Sequence, residues 1–162
     1  MHIKIKNKNF YYGHYKIKCS IGKRGITKYK KEGDKSTPRG QFKITGLFYR
    51  KDRVNIKSSI KKIPIKRNMG WCDDSKSKMY NKLIKFPFNF GAEKLFIKNN
   101  SYDIILIINY NTNPILKNKG SAIFLHIAKK NYSPTNGCIA ISKRNMKKLI
   151  RTINKKTLMT IT

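Results

Sequence analysis

Apolar and polar positions alternate along the first stretch of the chain. In HIKIK (residues 2–6) and YKIKCSI (15–21) every second side chain is apolar, the two-residue period of a strand with one wet face and one buried face. The segment KKEGDKSTPRGQFKI (30–44) breaks that period, and Gly33, Pro38 and Gly40 predict a turn. QFKITGLFY (41–49) resumes as strand. Residues 51–70 are basic and aperiodic and predict a surface excursion. GWCDDSKSKMYN (70–81) is polar with one embedded tryptophan, and PFNFGAEKLFI (87–97) predicts a short helical turn leading into a strand.

The clearest core signal follows. DIILIIN (103–109) and AIFLHIA (122–128) are continuous apolar runs, β-branched and aromatic, separated by Asn, Pro and Gly. They predict two central strands joined by a loop. GCIAI (137–141) predicts a third short buried strand. After Ser142 the period changes: Met146, Leu149, Ile150 and Ile153 fall at i, i+3, i+4 and i+7. That spacing predicts one amphipathic helix near 143–154 with Ser142 as N-cap. TLMTIT (157–162) closes the pattern as a last strand. The expectation is a mostly β, single-domain chain over 1–162, with no internal repeat and no low-complexity linker.

Composition adds a strong charge: 38 Lys and Arg stand against 7 acids, a net charge of +31. One interpretation is nonspecific binding to a polyanion, nucleic acid or an anionic envelope polymer. The other is compositional drift toward Lys, Asn and Ile. The bases are spread along the whole chain and no helix-turn-helix, zinc-finger or RNA-binding motif accompanies them, which favours drift. No apolar run is long enough to span a membrane, and the start, MHIKIKNKNF, has no signal-peptide h-region.

Three cysteines, Cys19, Cys72 and Cys138, are too few and too scattered for a disulfide framework. No C-x-x-C or H-E-x-x-H pair suggests a metal, and no cofactor is expected. Cys19 lies in an alternating strand and reads as a small core hydrophobe; Cys72 has no nearby His and reads as structural. His2 and His14 read as surface residues.

The remaining thiol is different. His126 follows one apolar run, a polar loop intervenes, and Thr135-Asn136-Gly137-Cys138 delivers a cysteine at the start of the next run. If the two strands are neighbours, imidazole and thiol can meet across the sheet. An imidazole that takes the thiol proton creates the nucleophile, and this predicts an exposed cysteine of lowered pKa. Gly137 allows close backbone approach, and the Cys138 N–H can face a developing oxyanion. By themselves one His and one Cys read more readily as a core histidine and a buried cysteine. Within reach of this loop, Tyr132 and Ser133 are candidates to line a cleft. Trp71 and Asp73 are candidates to bind substrate, with Asp73 and the adjacent Asp74 available to contact an ammonium group.

Two segments together tip the balance. Thr37-Pro38-Arg39-Gly40-Gln41-Phe42 resembles a T-P-x-G-x-F block, and TNGC resembles a [Ser/Thr]-His-Gly-Cys block preceded by a strand that ends in His. In this order they resemble the L,D-transpeptidase catalytic domain family, the YkuD-like domains, over about residues 19–150. The resemblance implies a β-sandwich or curved-sheet catalytic fold and a metal-free cysteine acyltransferase. Its partners would be peptidoglycan tetrapeptide stems and an amine acceptor. Cys138 then matches the nucleophile, His126 the general base and Gly137 the motif glycine beside the oxyanion site. Asn136 stands where the family has a second His, and Ile127-Ala128 follow His126 where Gly and a small polar residue are usual. Thr37–Gly40 would be a turn that shapes the site. With water as acceptor the same site would be an L,D-carboxypeptidase or another cell-wall amide hydrolase. From a different class, a catalytically dead fold would bind glycan or nucleic acid by charge. The family implies the periplasm or cell envelope, while the sequence shows no route there, so a cytoplasmic location stays open.

Overall fold

The computed structural model describes residues 1–162. In chain order its strands are β1 (His2–Lys6), β2 (Asn9–Tyr12), β3 (Tyr15–Lys18), β4 (Ile26–Thr27), β5 (Thr37–Pro38), β6 (Gly40–Tyr49), β7 (Lys62–Pro64), β8 (Met69–Cys72), β9 (Leu83–Lys85), β10 (Ala92–Lys94), β11 (Ile104–Ile108), β12 (Phe124–Ile127), β13 (Ile139–Ile141) and β14 (Leu158–Ile161). A single helix, α1 (Lys143–Thr152), lies between the last two. Strands hold 36% of the residues, and α1 with the 3-10 turn Asn100–Tyr102 makes 8% helical, so the chain is mostly β.

The main sheet runs β13-β12-β11-β6-β14-β1-β2-β3, with β7 added in parallel beside β6. It curves until its two ends nearly meet: Ser20, just past β3, bridges Ala140 in β13, and Gly22 bridges Thr135. β8, β9 and β10 form a small antiparallel sheet.

The continuous apolar runs have a direct cause. β11, β12 and β13 are covered on both faces, so both sets of alternating side chains must be apolar. On one face Leu106, Leu125, Ile139 and Ile141 join the core with Met146, Leu149 and Ile150 of α1. On the other, Ile105, Phe124 and Cys138 join Trp71, Leu95 and Tyr102. α1 begins as its spacing predicts. The Ser142 hydroxyl accepts from the Asn145 N–H at 3.2 Å, and the three core-facing residues of the helix are buried. It ends at Thr152, and Ile153 is already extended.

Four expectations need correction. Pro38 and Gly40 do not form a turn; Thr37–Pro38 is a strand paired in parallel with β4. Pro38 fits there because its neighbours carry the pairing, Thr37 N–H to Gly25 O and Arg39 N–H to Thr27 O, so its missing donor is not needed. Residues 51–70 are not a plain surface excursion: Val54, Ile56 and Ile60 are buried in the main core, and the polar residues between them, Asn55, Lys57, Ser58 and Ser59, hide the pattern. The first residues of the polar stretch, Gly70 to Cys72, are buried in β8. The helical turn expected in 87–97 lies instead at Asn100–Tyr102, where the Asn99 side chain accepts from the Ser101 N–H at 2.9 Å. No helix is long and apolar enough to cross a membrane.

Candidate active site

The topology brings His126 and Cys138 to one place. β12 and β13 are parallel, with Leu125 opposite Ile139, His126 opposite Ala140 and Ile127 opposite Ile141. Parallel neighbours need a crossover that returns the chain to its starting end. Residues 128–138 make that return, and Cys138 is set down beside the first residue of β12. Alternation then puts Phe124, His126, Cys138 and Ala140 on the same face. His126 and Cys138 both line a cleft of about 770 Å³ on that face.

The turn before the thiol is tied from several sides. Gly137 has φ +140°, a region open to glycine, and a Cβ there would lie 3.0 Å from Ser36 O and 3.1 Å from the Ile123 side chain. The Thr135 hydroxyl accepts from Gly137 N–H at 3.1 Å and donates to Cys138 O at 2.6 Å. The fully buried Thr37 hydroxyl accepts from Gly22 N–H and donates to Gly137 O, both at 2.8 Å. Thr37 therefore acts on the site through the backbone of Gly137. With these bonds made, the Gly137 N–H is occupied, whereas the Cys138 N–H has no acceptor.

The thiol itself is buried, not exposed as the sequence predicts; Cys138 is 9% exposed. Its S–H donates to Ala122 O at 3.1 Å, and its sulfur accepts from Phe124 N–H at 3.3 Å. Burial, then the nearby Glu93 charge, push the thiol up to about 12; the Phe124 N–H and Lys30 oppose them. The resting cysteine is a protonated thiol rather than a lowered-pKa thiolate, because its surroundings solvate the neutral form. Ala122, whose carbonyl accepts the S–H hydrogen bond, is itself held at φ +50°. Its N–H donates to Asn81 Oδ1 at 3.1 Å, and the same oxygen accepts the Trp71 indole N–H at 2.9 Å.

His126 is oriented by its own strand. Nδ1 lies 3.0 Å from the Ile127 carbonyl oxygen. A carbonyl only accepts, so Nδ1 carries the hydrogen and Nε2 keeps its lone pair. The ring packs edge-on against Tyr102 with centroids 5.3 Å apart. Burial, partly opposed by the bond to Ile127 and reinforced by Lys129, lowers the imidazole to about 4. At neutral pH it is an uncharged base. No hydrogen bond joins it to Cys138 in this resting arrangement.

The other sequence candidates separate cleanly. Asn136 is exposed on the cleft, and Ser133 and Asp73 also line it. Tyr132 does not: it takes a left-handed turn conformation and carries the Lys18 ammonium 5.1 Å over its ring. Trp71 does not either. It is buried, packed edge-on against Phe124 at 5.2 Å, because β8 turns that side chain into the core. Its influence reaches the thiol through Asn81 and Ala122 and through the packing on Phe124. Cys19 is fully buried, and Cys72 is buried in β8. No group of three or more His, Cys, Asp and Glu side chains is arranged to hold a metal ion.

Sequence reasoning missed Glu93 and Tyr102. Tyr102 donates its hydroxyl to Glu93, and both line the cleft with the thiol and the imidazole. Neither residue sits in a recognisable motif; only the pairing of β10 with β8 brings Glu93 there.

Residues 3–161 match the family model described as the L,D-transpeptidase catalytic domain, YkuD. No curated protein was found to match the chain.

Proposed function

The chain belongs to the L,D-transpeptidase catalytic domain family, and on that footing we propose that it is a cysteine acyltransferase acting on peptidoglycan stem peptides through a thioester on Cys138. The observation that carries this is the shared face of β12 and β13. It sets a thiol, an uncharged imidazole with a free Nε2, and an unsatisfied backbone N–H around one cleft.

In the proposed reaction the Cys138 sulfur attacks the carbonyl of a diaminopimelate residue in a tetrapeptide stem. The thiol turns from Ala122 O toward Nε2 of His126 as substrate enters, and the proton passes to that nitrogen as the S–C bond forms. Transfer during attack suits a pair whose resting members are both neutral. The carbonyl oxygen becomes an oxyanion facing the Cys138 N–H, with the Asn136 side chain on the same rim. The tetrahedral intermediate collapses, the C–N bond to D-Ala breaks, and His126 returns its proton to the departing amine. An amine of a second stem then attacks the thioester and releases the thiol. Water in that role would give a hydrolase at the same site.

The test is product analysis on tetrapeptide-rich peptidoglycan with purified protein. Cross-linked muropeptides and free D-Ala are expected. Cys138→Ser should abolish them and also remove the adduct formed by a carbapenem, located by peptide mass mapping. His126→Ala should slow acylation roughly a hundredfold or more, whereas His2→Ala should leave it unchanged. Product formation that survives Cys138→Ser would sink the assignment.

A further inference from the structure

The chain has seven acids among 38 bases. Asp34, Asp52 and Asp103 each pair with a base: Lys30 at 2.6 Å, Arg50 at 2.6 Å, and Arg53 and Lys143 at 3.2 and 2.7 Å. The other four pair with none: Asp74 accepts the Lys76 N–H at 2.9 Å outside the cleft, and Glu32, Asp73 and Glu93 line the cleft that holds Cys138. Lys30, Lys35, Lys94 and Lys129 line the same cleft, yet none of them pairs with these three carboxylates, and that needs a reason.

They are also held in place. Glu93 accepts the Tyr102 hydroxyl from the ring that packs against His126. Glu32 accepts the hydroxyls of Tyr80 and Ser121, the latter at 2.7 Å. Asp73 follows β8, its N–H donating to Gly91 O just before β10. Glu32 acts on Asp73, and Asp73 acts on Glu93. Burial and then the charges of Glu32 and Asp74 push Asp73 up, and burial and then Asp73 push Glu93 up, against the Tyr102 bond. A second observation is independent of the acids. His126, nine-tenths buried, aims an unpartnered Nε2 into the same cleft. The pocket is therefore built around a polar guest.

We propose that Glu93, Asp73 and Glu32 form a subsite for a protonated primary amine carried by the substrate, and that an amine seated there draws Cys138 into its nucleophilic form. The reasoning is electrostatic. The charged groups that act on the Cys138 sulfur are Glu93, which disfavours its anion, and Lys30, which favours it. The neutral His126 and Tyr102 complete the polar surroundings. An ammonium placed against Glu93 cancels the unfavourable charge, so the S–H proton leaves more readily to Nε2 of His126. A stem lacking the amine would meet a thiol that gives up its proton less readily and reacts more slowly. This rests on the acyltransferase reading above for its substrate, but its test does not require turnover.

The probe is n-butylammonium chloride, with n-butanol and sodium chloride at matched concentration as controls. The readout is alkylation of Cys138 by iodoacetamide, in which the S–C bond forms, iodide leaves and the thiol proton goes to buffer. Butylammonium should accelerate labelling saturably, by roughly tenfold if one pKa unit is recovered; the controls should not. Glu93→Gln, whose amide oxygen can still accept from Tyr102, should label faster than the native protein without amine and lose the response. Asp73→Asn should raise the half-saturating amine concentration. No acceleration by butylammonium, or equal acceleration in Glu93→Gln, overturns the subsite. Acceleration with no muropeptide product would leave the subsite standing and remove the transpeptidase; products without acceleration would do the reverse.

Discussion

Thr37→Val isolates the support beneath the Cys138 turn. Valine keeps the shape of threonine but removes the hydroxyl that joins Gly22 N–H to Gly137 O, two 2.8 Å bonds at a fully buried position. A Cβ on Gly22 would lie 2.5 Å from Lys35 O, so the strand and loop are pressed together there and water has no room to replace the hydroxyl. Each buried group left unpaired costs about 1–3 kcal/mol. A total of about 3 kcal/mol lowers the melting temperature of a domain this size by about 6–12 °C. It also leaves the fold intact, since single domains are stable by about 5–15 kcal/mol. The assay is thermal unfolding followed by emission from Trp71, the sole tryptophan, which is 8% exposed. Iodoacetamide labelling of Cys138 at 25 °C runs in parallel and should quicken as the turn loosens. Thr37→Ser keeps the hydroxyl and should lose only about 1 kcal/mol for its methyl. A Thr37→Val protein that melts with the native one, or a Thr37→Ser protein that melts as low as Thr37→Val, would refute the reasoning.

Two further outcomes follow from the site. Gly137→Ala puts a Cβ against Ser36 O and Ile123 at a backbone angle alanine avoids, so Cys138 shifts and carbapenem acylation should fall about a hundredfold; a native rate would show that the turn is not constrained. His126 sits near 4 in the fold against 6.5 unfolded. The unfolded chain therefore binds the extra proton, and stability should be full above about pH 6.5 and decline by roughly 3 kcal/mol as the pH falls to 4. Urea midpoints across that range should show this slope in the native protein, and its persistence in His126→Gln would assign it elsewhere.

Periodicity carried most of the architecture because it reports burial directly. The runs at Ile104–Ile108 and Phe124–Ile127 are apolar on both faces because both faces are covered, and the Met146-Leu149-Ile150 stripe is the buried side of α1. His126 and Cys138 were legible as a pair because a polar return loop between two buried runs puts their side chains on one face. Their electrostatics were not legible. Spacing cannot show that Ala122 O would hold the thiol proton, or that Glu93 would stand nearby. Both depend on segments distant in sequence, and Trp71 was misread for the same reason. A tryptophan beside two aspartates has the composition of a binding loop, but β8 turns the indole inward onto Asn81. Pro38 misled through its usual role in turns, since nothing local shows a strand that can spare one donor.

The sheet order bears on how the chain is made. β14 lies between β6 and β1, antiparallel to the first and parallel to the second. Without β14, the β1–β3 ribbon would keep ladder contact with the rest of the chain only at the closure made by the Ser20–Ala140 and Gly22–Thr135 bridges. In its absence β6 and β1 each present an open edge, the kind of surface through which nascent chains pair with one another. The edge on β1 carries Lys4 and Lys6 between its buried isoleucines. Their charge disfavours pairing with a like edge from a neighbouring chain, so two lysines of the basic excess guard the edge of β1 that the C-terminal strand must cover.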